Sequence, residues 1–333
     1  MSAFDRFAES YLRRMGVKII YRLPHLKDSA EIIGDFLYDG KILFHKSLGY
    51  AIEIHKQDKE KIIIYRDPIK SYPPLTLLLW LKLLENDLTL IHGAGLAFSG
   101  KAVIFPAFPN VGKTSLAISL IKNGSNDWKL LGDDYLILSK KGVVYSYLRP
   151  FAIYSYHIPL LREYFSKARA KALRLMLASL LRRKLPRSVF KRFAHIGITE
   201  PLWLEVDKIL PEKKTLKKAS LFRIYMLSKS TSSLMEIKRA SKETAALRMF
   251  NVLLYDLVTP YSHIFYVLSA LGLIDLFTLL EKHKSIIDHA LSHADVFHIF
   301  IPSVNLNFIE LVKLIEKHIR QSSVMTTNSR EEQ

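Results

Sequence analysis

A predicted strand, a short loop and a predicted helix follow one another in residues 101–124, and this succession constrains the fold more than any other part of the chain. The apolar run KAVIFP leads into AFPNVGKT at residues 107–114, and the helical pattern SLAISLIKNG ends at an Asn-Gly stop. The loop matches the phosphate-loop pattern G-x-x-x-x-G-K-[ST] except at its first position, where Ala107 replaces glycine. Loops of this kind point backbone N–H groups at a phosphate and continue into the start of a helix. The pattern therefore predicts a mixed α/β fold that binds a nucleotide.

The residues of the loop have separate predicted roles. Gly112 allows the backbone to approach the phosphates, Lys113 supplies a full positive charge, and the hydroxyl of Thr114 can ligate Mg²⁺. Ala107 adds a single methyl group, which is costly only if its φ is positive. The alternative interpretation is an ordinary strand–turn–helix with a chance GKT. The residues predicted to contact a nucleotide are Asn110, Val111, Gly112, Lys113, Thr114 and Ser115.

Two carboxylates and one histidine belong to the elements next to this loop. Asp133 and Asp134 follow the apolar run WKLL, about twenty residues after Lys113. One such carboxylate can face Mg²⁺ while the other accepts the proton of an attacking hydroxyl, and the alternative is a turn with two solvated acids. His92 lies in LIHGAG on the preceding strand, where a structural and a catalytic role are both open. The guanine motif N-K-x-D is absent, which disfavours a small GTPase.

Composition limits the partners and the compartment. The 333-residue chain carries 49 Lys+Arg against 31 Asp+Glu, a formal net charge of +18, which favours anionic partners. It has no cysteine, which excludes disulfides, thiolate metal sites and cysteine nucleophiles. No apolar run of the signal-peptide type stands at the N-terminus, so a cytoplasmic location is expected. Residues 263–280 come nearest to a membrane span, but Asp275 interrupts them and a buried helix is predicted instead.

The motifs together resemble a known kinase family. His92-Gly93, the GKT of the loop, LIKNG and the GDD that ends at Asp134 are similar to the catalytic domain of HPr kinase/phosphorylase, and closer still to the uncharacterised HPr-kinase-like proteins. The resemblance is specific over about residues 88–138. It implies a phosphate-loop core like that of phosphoenolpyruvate carboxykinase, with ATP and Mg²⁺ as ligands. In that core, Lys113 would hold the phosphates, Thr114 and Asp134 would hold Mg²⁺, Asp133 would be the general base, and His92 would lie close by.

One departure bears on the phosphoryl acceptor. The E-x-R-G-x-G element that accompanies recognition of the phosphocarrier HPr is absent, because ALGLID at residues 270–275 lacks its acid and its arginine. HPr is therefore not the expected acceptor, and phosphorylase activity has no support in the sequence. The predicted function is an ATP- and Mg²⁺-dependent phosphotransferase of the kinase type that acts on a hydroxyl of a protein or small molecule. The sequence leaves the identity of that acceptor and the oligomeric state open.

Residues 161–192 form a strongly basic segment with a helical pattern. Eleven Lys/Arg accompany the single acid Glu163 there, so the segment carries a net charge of 11 − 1 = +10. Such a helix can follow a phosphate backbone or lie on anionic lipid, and the alternative is a charged helix that only caps its domain. The segment supports an alternative function for the chain, a nucleotide-binding module with little or no turnover that engages nucleic acid or an anionic membrane.

His289 and His293 stand four residues apart in a predicted helix. This spacing suits a zinc site, but neither a third ligand nor a base is evident in the sequence, so a polar helix surface is the favoured interpretation.

Four regions are predicted along the chain. They are a β-rich region with one helix at residues 1–86, a phosphate-loop core at 87–230 with the basic helical insertion 161–192, a helix-rich region at 231–321, and a disordered tail at 322–333.

Overall fold

The computed structural model describes residues 3–27, 29–54, 62–66, 74–186, 201–303 and 306–331, and the chain divides into two compact units. The first unit comprises Met1–Leu90 and Phe250–Ile287, and the second comprises Ile91–Met249 and Asp288–Gln333. Residues 231–321, which the sequence predicts to be rich in helices, contribute to both units. The predicted mixed α/β class is confirmed.

The strands and α-helices of the described residues have the following bounds. The strands are β1 (Lys18–Ile20), β2 (Glu31–Ile33), β3 (Phe36–Tyr38), β4 (Ile42–His45), β5 (Tyr50–Ile54), β6 (Ile62–Arg66), β7 (Leu88–Phe98), β8 (Lys101–Pro106), β9 (Trp128–Gly132), β10 (Tyr135–Ser139), β11 (Val143–Tyr145), β12 (Phe151–Ile153), β13 (Leu202–Leu204), β14 (Lys218–Ser230), β15 (Glu236–Arg239) and β16 (Asp295–Pro302). The α-helices are α1 (Ala3–Arg14), α2 (Leu75–Glu85), α3 (Lys113–Asn123), α4 (Arg162–Lys167), α5 (Arg169–Lys184), α6 (Val206–Ile209), α7 (Lys242–Leu253), α8 (Ser262–Ala270), α9 (Leu276–Leu291) and α10 (Phe308–Glu331).

The first unit contains a six-stranded sheet in the order β1-β6-β5-β4-β3-β2. Neighbouring strands are antiparallel, as the alternating pattern predicts, except for β1 and β6, which are parallel. At the predicted Asp-Gly turn, Asp39 Oδ1 accepts the N–H groups of Lys41 and Ile42 at 3.0 and 2.8 Å, and Gly40 has a φ of 92°. The link predicted at QDKE, residues 57–60, lies outside the described residues.

The second unit contains a larger mixed sheet. Its strands follow the order β11-β10-β7-β8-β14-β16-β15, and β9 pairs with β7 beside this path. β8, β14 and β16 are parallel to one another, whereas β7 runs antiparallel to β8 and to β9. The carboxyl ends of β8, β14 and β16 therefore lie at one edge of the sheet.

Helices α3 and α10 cover one region of the second unit's core. Leu116 and Leu120 of α3 and Leu311 and Ile315 of α10 are almost fully buried in one cluster with the sheet residue Phe105. The side chain of Glu316 accepts hydrogen bonds from the Trp128 indole N–H at 2.8 Å and the Ser125 backbone N–H at 2.6 Å. These contacts join α10 to the end of α3 and to β9, and so hold the helix that carries Lys113.

The single buried helix predicted over residues 263–280 is wrong. α8 ends at Ala270, and Gly272 follows with a φ of 65°, which a helix interior does not accommodate. Asp275 then begins α9, because its Oδ1 accepts the N–H groups of Phe277 and Thr278 at 3.0 and 3.2 Å. Among the described residues, no helix combines the length and the apolar character that a membrane crossing requires.

The last helix continues as far as Glu331, into the segment for which the sequence predicts disorder. Backbone hydrogen bonds within a helix need no tertiary partner, so the composition of such a tail does not by itself forbid helix formation.

The burial of β7 leads to a test of the core. Leu96 of β7 is fully buried and Leu234 is 74% exposed, and both belong to the second unit. We expect Leu96→Ala to lower the free energy of unfolding by about 2–5 kcal/mol, because it removes apolar contacts and leaves a cavity. Leu234→Ala, the matched control, should change it by less than about 0.5 kcal/mol. Urea titration followed by circular dichroism measures both, and equal effects would contradict a central position for β7.

Candidate functional site

The predicted phosphate loop connects the end of β8 to the start of α3. β8 ends at Pro106 and α3 begins at Lys113, so residues 107–112 stand at the edge where the three parallel strands end. Ligands of α/β sheets bind outside the carboxyl ends of parallel strands. The loop is therefore in the position where a phosphate site is expected.

The backbone of the loop explains its residue types. Gly112 has a φ of 110° and Asn110 a φ of 64°, in the left-handed region that glycine and asparagine tolerate best. Ala107 has a negative φ and is fully buried in the core cluster, so alanine replaces the first glycine without backbone strain. No side chain caps α3 at its N-cap Gly112, and the first N–H groups of a helix have no partner within it.

Lys113 is buried at the start of α3, and its ammonium is held by the loop. Nζ donates to the carbonyl oxygens of Ala107 and Phe108 at 3.0 and 3.2 Å, and it lies 2.9 Å from His92 Nε2. Because an ammonium can only donate, Nε2 of His92 is the acceptor, and the ring proton resides on Nδ1. The structure thus brings two of the predicted residues together, although they are 21 positions apart.

Thr114 and Asp133 form the second contact of the site. The Thr114 hydroxyl donates to Asp133 Oδ2 at 2.8 Å. Asp133 is buried, and its other oxygen, Oδ1, has no hydrogen-bond partner among the described residues. Burial, followed by the nearby charge of Asp134, raises the pKa of Asp133 to about 7, although Thr114 and Lys113 act in the opposite direction.

Asp134 lies beside this pair in a turn. It has a φ of 67° and a partly exposed side chain, and its backbone carbonyl accepts the Gly93 N–H at 3.0 Å. A β-carbon at Gly93 would stand 2.9 Å from the carbonyl oxygen of Phe105, so only glycine allows β7 and β8 to approach closely next to His92. Thr114 is thus paired with Asp133 rather than with Asp134, its predicted partner at Mg²⁺.

The remaining predicted contact residues differ in exposure. Asn110 is exposed, Val111 packs partly against the core, and Ser115 is buried inside the first turn of α3. Of these three side chains, only that of Asn110 is well exposed to solvent.

Two neighbours of the site, the aromatic Tyr135 and the cationic Arg149, were not predicted as site residues. The Tyr135 ring stands edge-on to the His92 ring at a centroid distance of 5.3 Å, and the Arg149 guanidinium carbon lies 4.8 Å from the Tyr135 ring centroid. Arg149 is 2% exposed. Tyr135 directly follows the two aspartates, but its alternating apolar surroundings indicate only a strand. The contact between the Tyr135 and His92 rings arises from the pairing of β7 with β10.

The alternative zinc site is not supported. α9 ends at Leu291, so His293 lies beyond the helix that carries His289 and the two do not share a helix face. No group of three or more potential metal ligands occurs in the described part of the chain. The predicted basic helix is present as α4 and α5, and residues 187–192 lie outside the described residues.

The donor set is compatible with a Mg²⁺-bound polyphosphate. The Lys113 ammonium and the uncapped start of α3 suit phosphate oxygens. Thr114 Oγ1 donates its hydrogen bond to Asp133, so its lone pairs stay available to a metal ion. Oδ1 of Asp133, buried and without a protein partner, can accept a proton or a hydrogen bond from a ligand.

Comparisons with known proteins give limited similarity. No family model and no curated protein matches the sequence. Among solved structures, the Hpr(Ser) kinase/phosphatase from Coxiella burnetii is similar at 11% identity and a TM-score of 0.35, over 73% of this chain and 97% of that chain. Similarity at this level does not establish a family for the chain.

Ionisation of Asp133 is expected to lower the stability of the folded chain. Its pKa is about 7 in the folded chain against an ordinary value of 3.8, so over this window the folded protein keeps a proton that the unfolded chain has released. The free energy of unfolding therefore decreases as the pH rises through the window, and it stays constant with respect to this group above about 7.

The comparison of wild type with Asp133→Asn isolates this contribution. We expect the stability of the variant relative to wild type to increase from pH 4 to pH 7, since the amide does not ionise. Urea titrations at a series of pH values measure the difference. A difference that is independent of pH would contradict the raised pKa.

Proposed function

We propose that the chain is an ATP- and Mg²⁺-dependent phosphotransferase of the kinase type, with a phosphate-loop core like that of phosphoenolpyruvate carboxykinase. The observation that carries the proposal is the buried Lys113 ammonium in a loop at the carboxyl edge of parallel strands, next to the contact between Thr114 and Asp133. A cation and helix N–H groups can stabilise the charge of a transferring phosphoryl group, and a carboxylate can accept the proton of the attacking hydroxyl. The sequence resemblance to the HPr-kinase-like proteins supports the same reaction type.

Phosphate binding would require Lys113 to exchange partners. Its ammonium is bonded to Ala107 O and Phe108 O, which are neutral acceptors. A phosphate oxygen carries negative charge and forms stronger, charge-assisted hydrogen bonds with an ammonium. The N–H groups at the start of α3 would add to this attraction, because a helix N-terminus favours anions.

Asp133 would act as the general base toward the acceptor hydroxyl. A pKa of about 7 allows it to be ionised in part at neutral pH and to accept a proton readily, which suits acid–base catalysis. The Thr114 hydroxyl holds Oδ2, and the buried Oδ1 would take the proton once an acceptor hydroxyl reaches it.

Thr114 and Asp134 would hold Mg²⁺. The metal ion would neutralise part of the negative charge on the phosphate oxygens. His92 would help to keep the Lys113 ammonium in place, because its Nε2 accepts from Nζ at 2.9 Å.

Nucleotide binding is expected to depend on Lys113. ATP with Mg²⁺ at one hundred times its dissociation constant should stabilise the wild-type chain by about 2.7 kcal/mol, whereas Lys113→Ala should show little or no stabilisation. Lys122→Ala is the matched control, because Lys122 is exposed in the last turn of the same helix. Thermal unfolding with and without ATP measures all three proteins. Equal stabilisation of Lys113→Ala and the control would exclude the loop as the nucleotide site.

Substitution of the two aspartates should affect phosphoryl transfer in different ways. Asp133→Asn should reduce transfer from γ-labelled ATP by about 10²–10⁴-fold while nucleotide binding remains, because a general base is lost. Asp134→Asn should instead raise the Mg²⁺ concentration needed for half-maximal transfer. Incubation of each protein with labelled ATP and cell extract, at a series of Mg²⁺ concentrations, measures both. Full activity of Asp133→Asn would contradict its assignment as the base, and the reverse pattern would exchange the two roles.

A further inference from the structure

Helix α5 presents an apolar stripe to solvent. Leu173, Met176, Leu177 and Leu180 recur at the spacing i, i+3, i+4, i+7, which places them on one face. These four side chains are 69, 57, 40 and 50% exposed. Apolar residues at this spacing on a surface helix normally face the core, so an exposed stripe of this kind indicates an interaction surface.

The helix is anchored to its own unit through a different face. Leu175 and Ala178 are buried, and Leu175 belongs to the core cluster together with Phe165 of α4. Since this face already packs α5 against the unit, the exposed stripe is additional apolar surface that the unit's own core does not use.

The charges of α5 are all positive. The helix contains no acidic residue, and its cations are Arg169, Lys171, Arg174, Arg182, Arg183 and Lys184. At about 3.6 residues per turn, Arg169 and Lys184 fall on the same face as the stripe, at its two ends, and Arg174 and Arg183 flank it on either side. The stripe is therefore surrounded by cations.

A groove next to α5 extends the apolar surface. It has a volume of about 350 Å³ and is lined by Ile158 and by residues of α4 and α5, among them Phe165, Leu173 and Met176. Arg162 and Arg169 also line it, so cationic groups stand beside the apolar wall here too.

We propose that the exposed face of α5, defined by Leu173, Met176, Leu177 and Leu180 with their basic flanks, docks on an anionic lipid bilayer. Leucine and methionine side chains gain by entering the boundary between head groups and acyl chains, and arginine and lysine gain by contact with lipid phosphates. This surface lies outside the proposed nucleotide site and would serve membrane attachment rather than phosphoryl transfer.

Charge and residue type favour a bilayer over other partners. Nucleic acid would neutralise the cations, but the aliphatic stripe offers no aromatic ring for base stacking and would gain nothing from a phosphate backbone. A second copy of the chain would bring two all-positive helices together, which is repulsive. A protein that encloses a basic amphipathic helix would need both faces of α5, and Leu175 and Ala178 are already buried.

Vesicle sedimentation with the full-length chain tests the proposal. We expect the wild type to sediment with vesicles of phosphatidylcholine and phosphatidylglycerol in equal amounts, and to stay in solution with phosphatidylcholine alone. The double substitution Leu173→Ser, Leu177→Ser should lower the partition coefficient between anionic vesicles and solution by about tenfold or more. The matched control is Leu234→Ser, Leu247→Ser, whose leucines are 74 and 57% exposed in the same unit, and it should bind like the wild type.

Substitution of the flanking charges provides a second variant that leaves the apolar stripe intact. Arg169→Gln and Arg183→Gln should each weaken binding about fivefold, the effect expected of one cation near an anionic surface. Lys208→Gln and Lys213→Gln, at exposed lysines elsewhere in the second unit, should have smaller effects.

Several outcomes would overturn the proposal. Two of them are equal binding to neutral and anionic vesicles, and equal binding of the Leu173/Leu177 variant and its control. A third is binding of RNA or DNA at the same salt concentration without binding of anionic vesicles. The fourth is a dimer, detected by light scattering, that buries the exposed stripe. The measurements need no nucleotide, so they are independent of whether the chain transfers phosphoryl groups.

Discussion

The burial of the Lys113 ammonium is the constraint on which the candidate site depends. A cation removed from water is unfavourable unless its donors are satisfied, and here two loop carbonyls and the His92 ring nitrogen accept them. These acceptors close the loop around its own lysine and define the tautomer of His92. Under the proposed function, a polyphosphate at the start of α3 would offer negatively charged oxygens to the same lysine. Lys113 would then exchange its internal acceptors for those of the ligand.

Close backbone approach at a few glycines makes this arrangement attainable. Gly112 adopts a φ of 110° where the loop meets the helix, and Gly93 leaves room for the carbonyl of Phe105 between β7 and β8. A third glycine, Gly132, stands just before Asp133, where a β-carbon would lie 2.7 Å from the Tyr135 carbonyl oxygen. Each of these positions adjoins a residue with a proposed chemical role. Gly93 and Gly132 thus allow close approach of backbone segments, whereas Gly112 supplies the left-handed backbone conformation at the start of α3.

The sequence predicts more of the strands and helices of the second unit than of the first. The strands around LIHGAG, KAVIFP and WKLL, the loop and α3 agree with the prediction, because their apolar runs and stop signals are local. The division of residues 263–280 into two helices also has a local cause in Gly272 and Asp275, which outweighs a continuous apolar composition. The parallel pairing of β1 with β6 has no such local signal. It joins strands that are more than forty positions apart, and nothing in either strand specifies its partner.

The sequence by itself determined the loop, its lysine, the two carboxylates and the positive charge of residues 161–192, because residue type and spacing express all of these directly. Only the tertiary structure decided which groups meet. It paired Thr114 with Asp133 rather than Asp134, set Tyr135 against His92, and turned Leu175 inward while Leu173 and Leu177 remained outside. The physical reason is that these contacts depend on strand order and on which face of a helix packs against the sheet. Both are selected by the burial of the whole core rather than by any short stretch of residues.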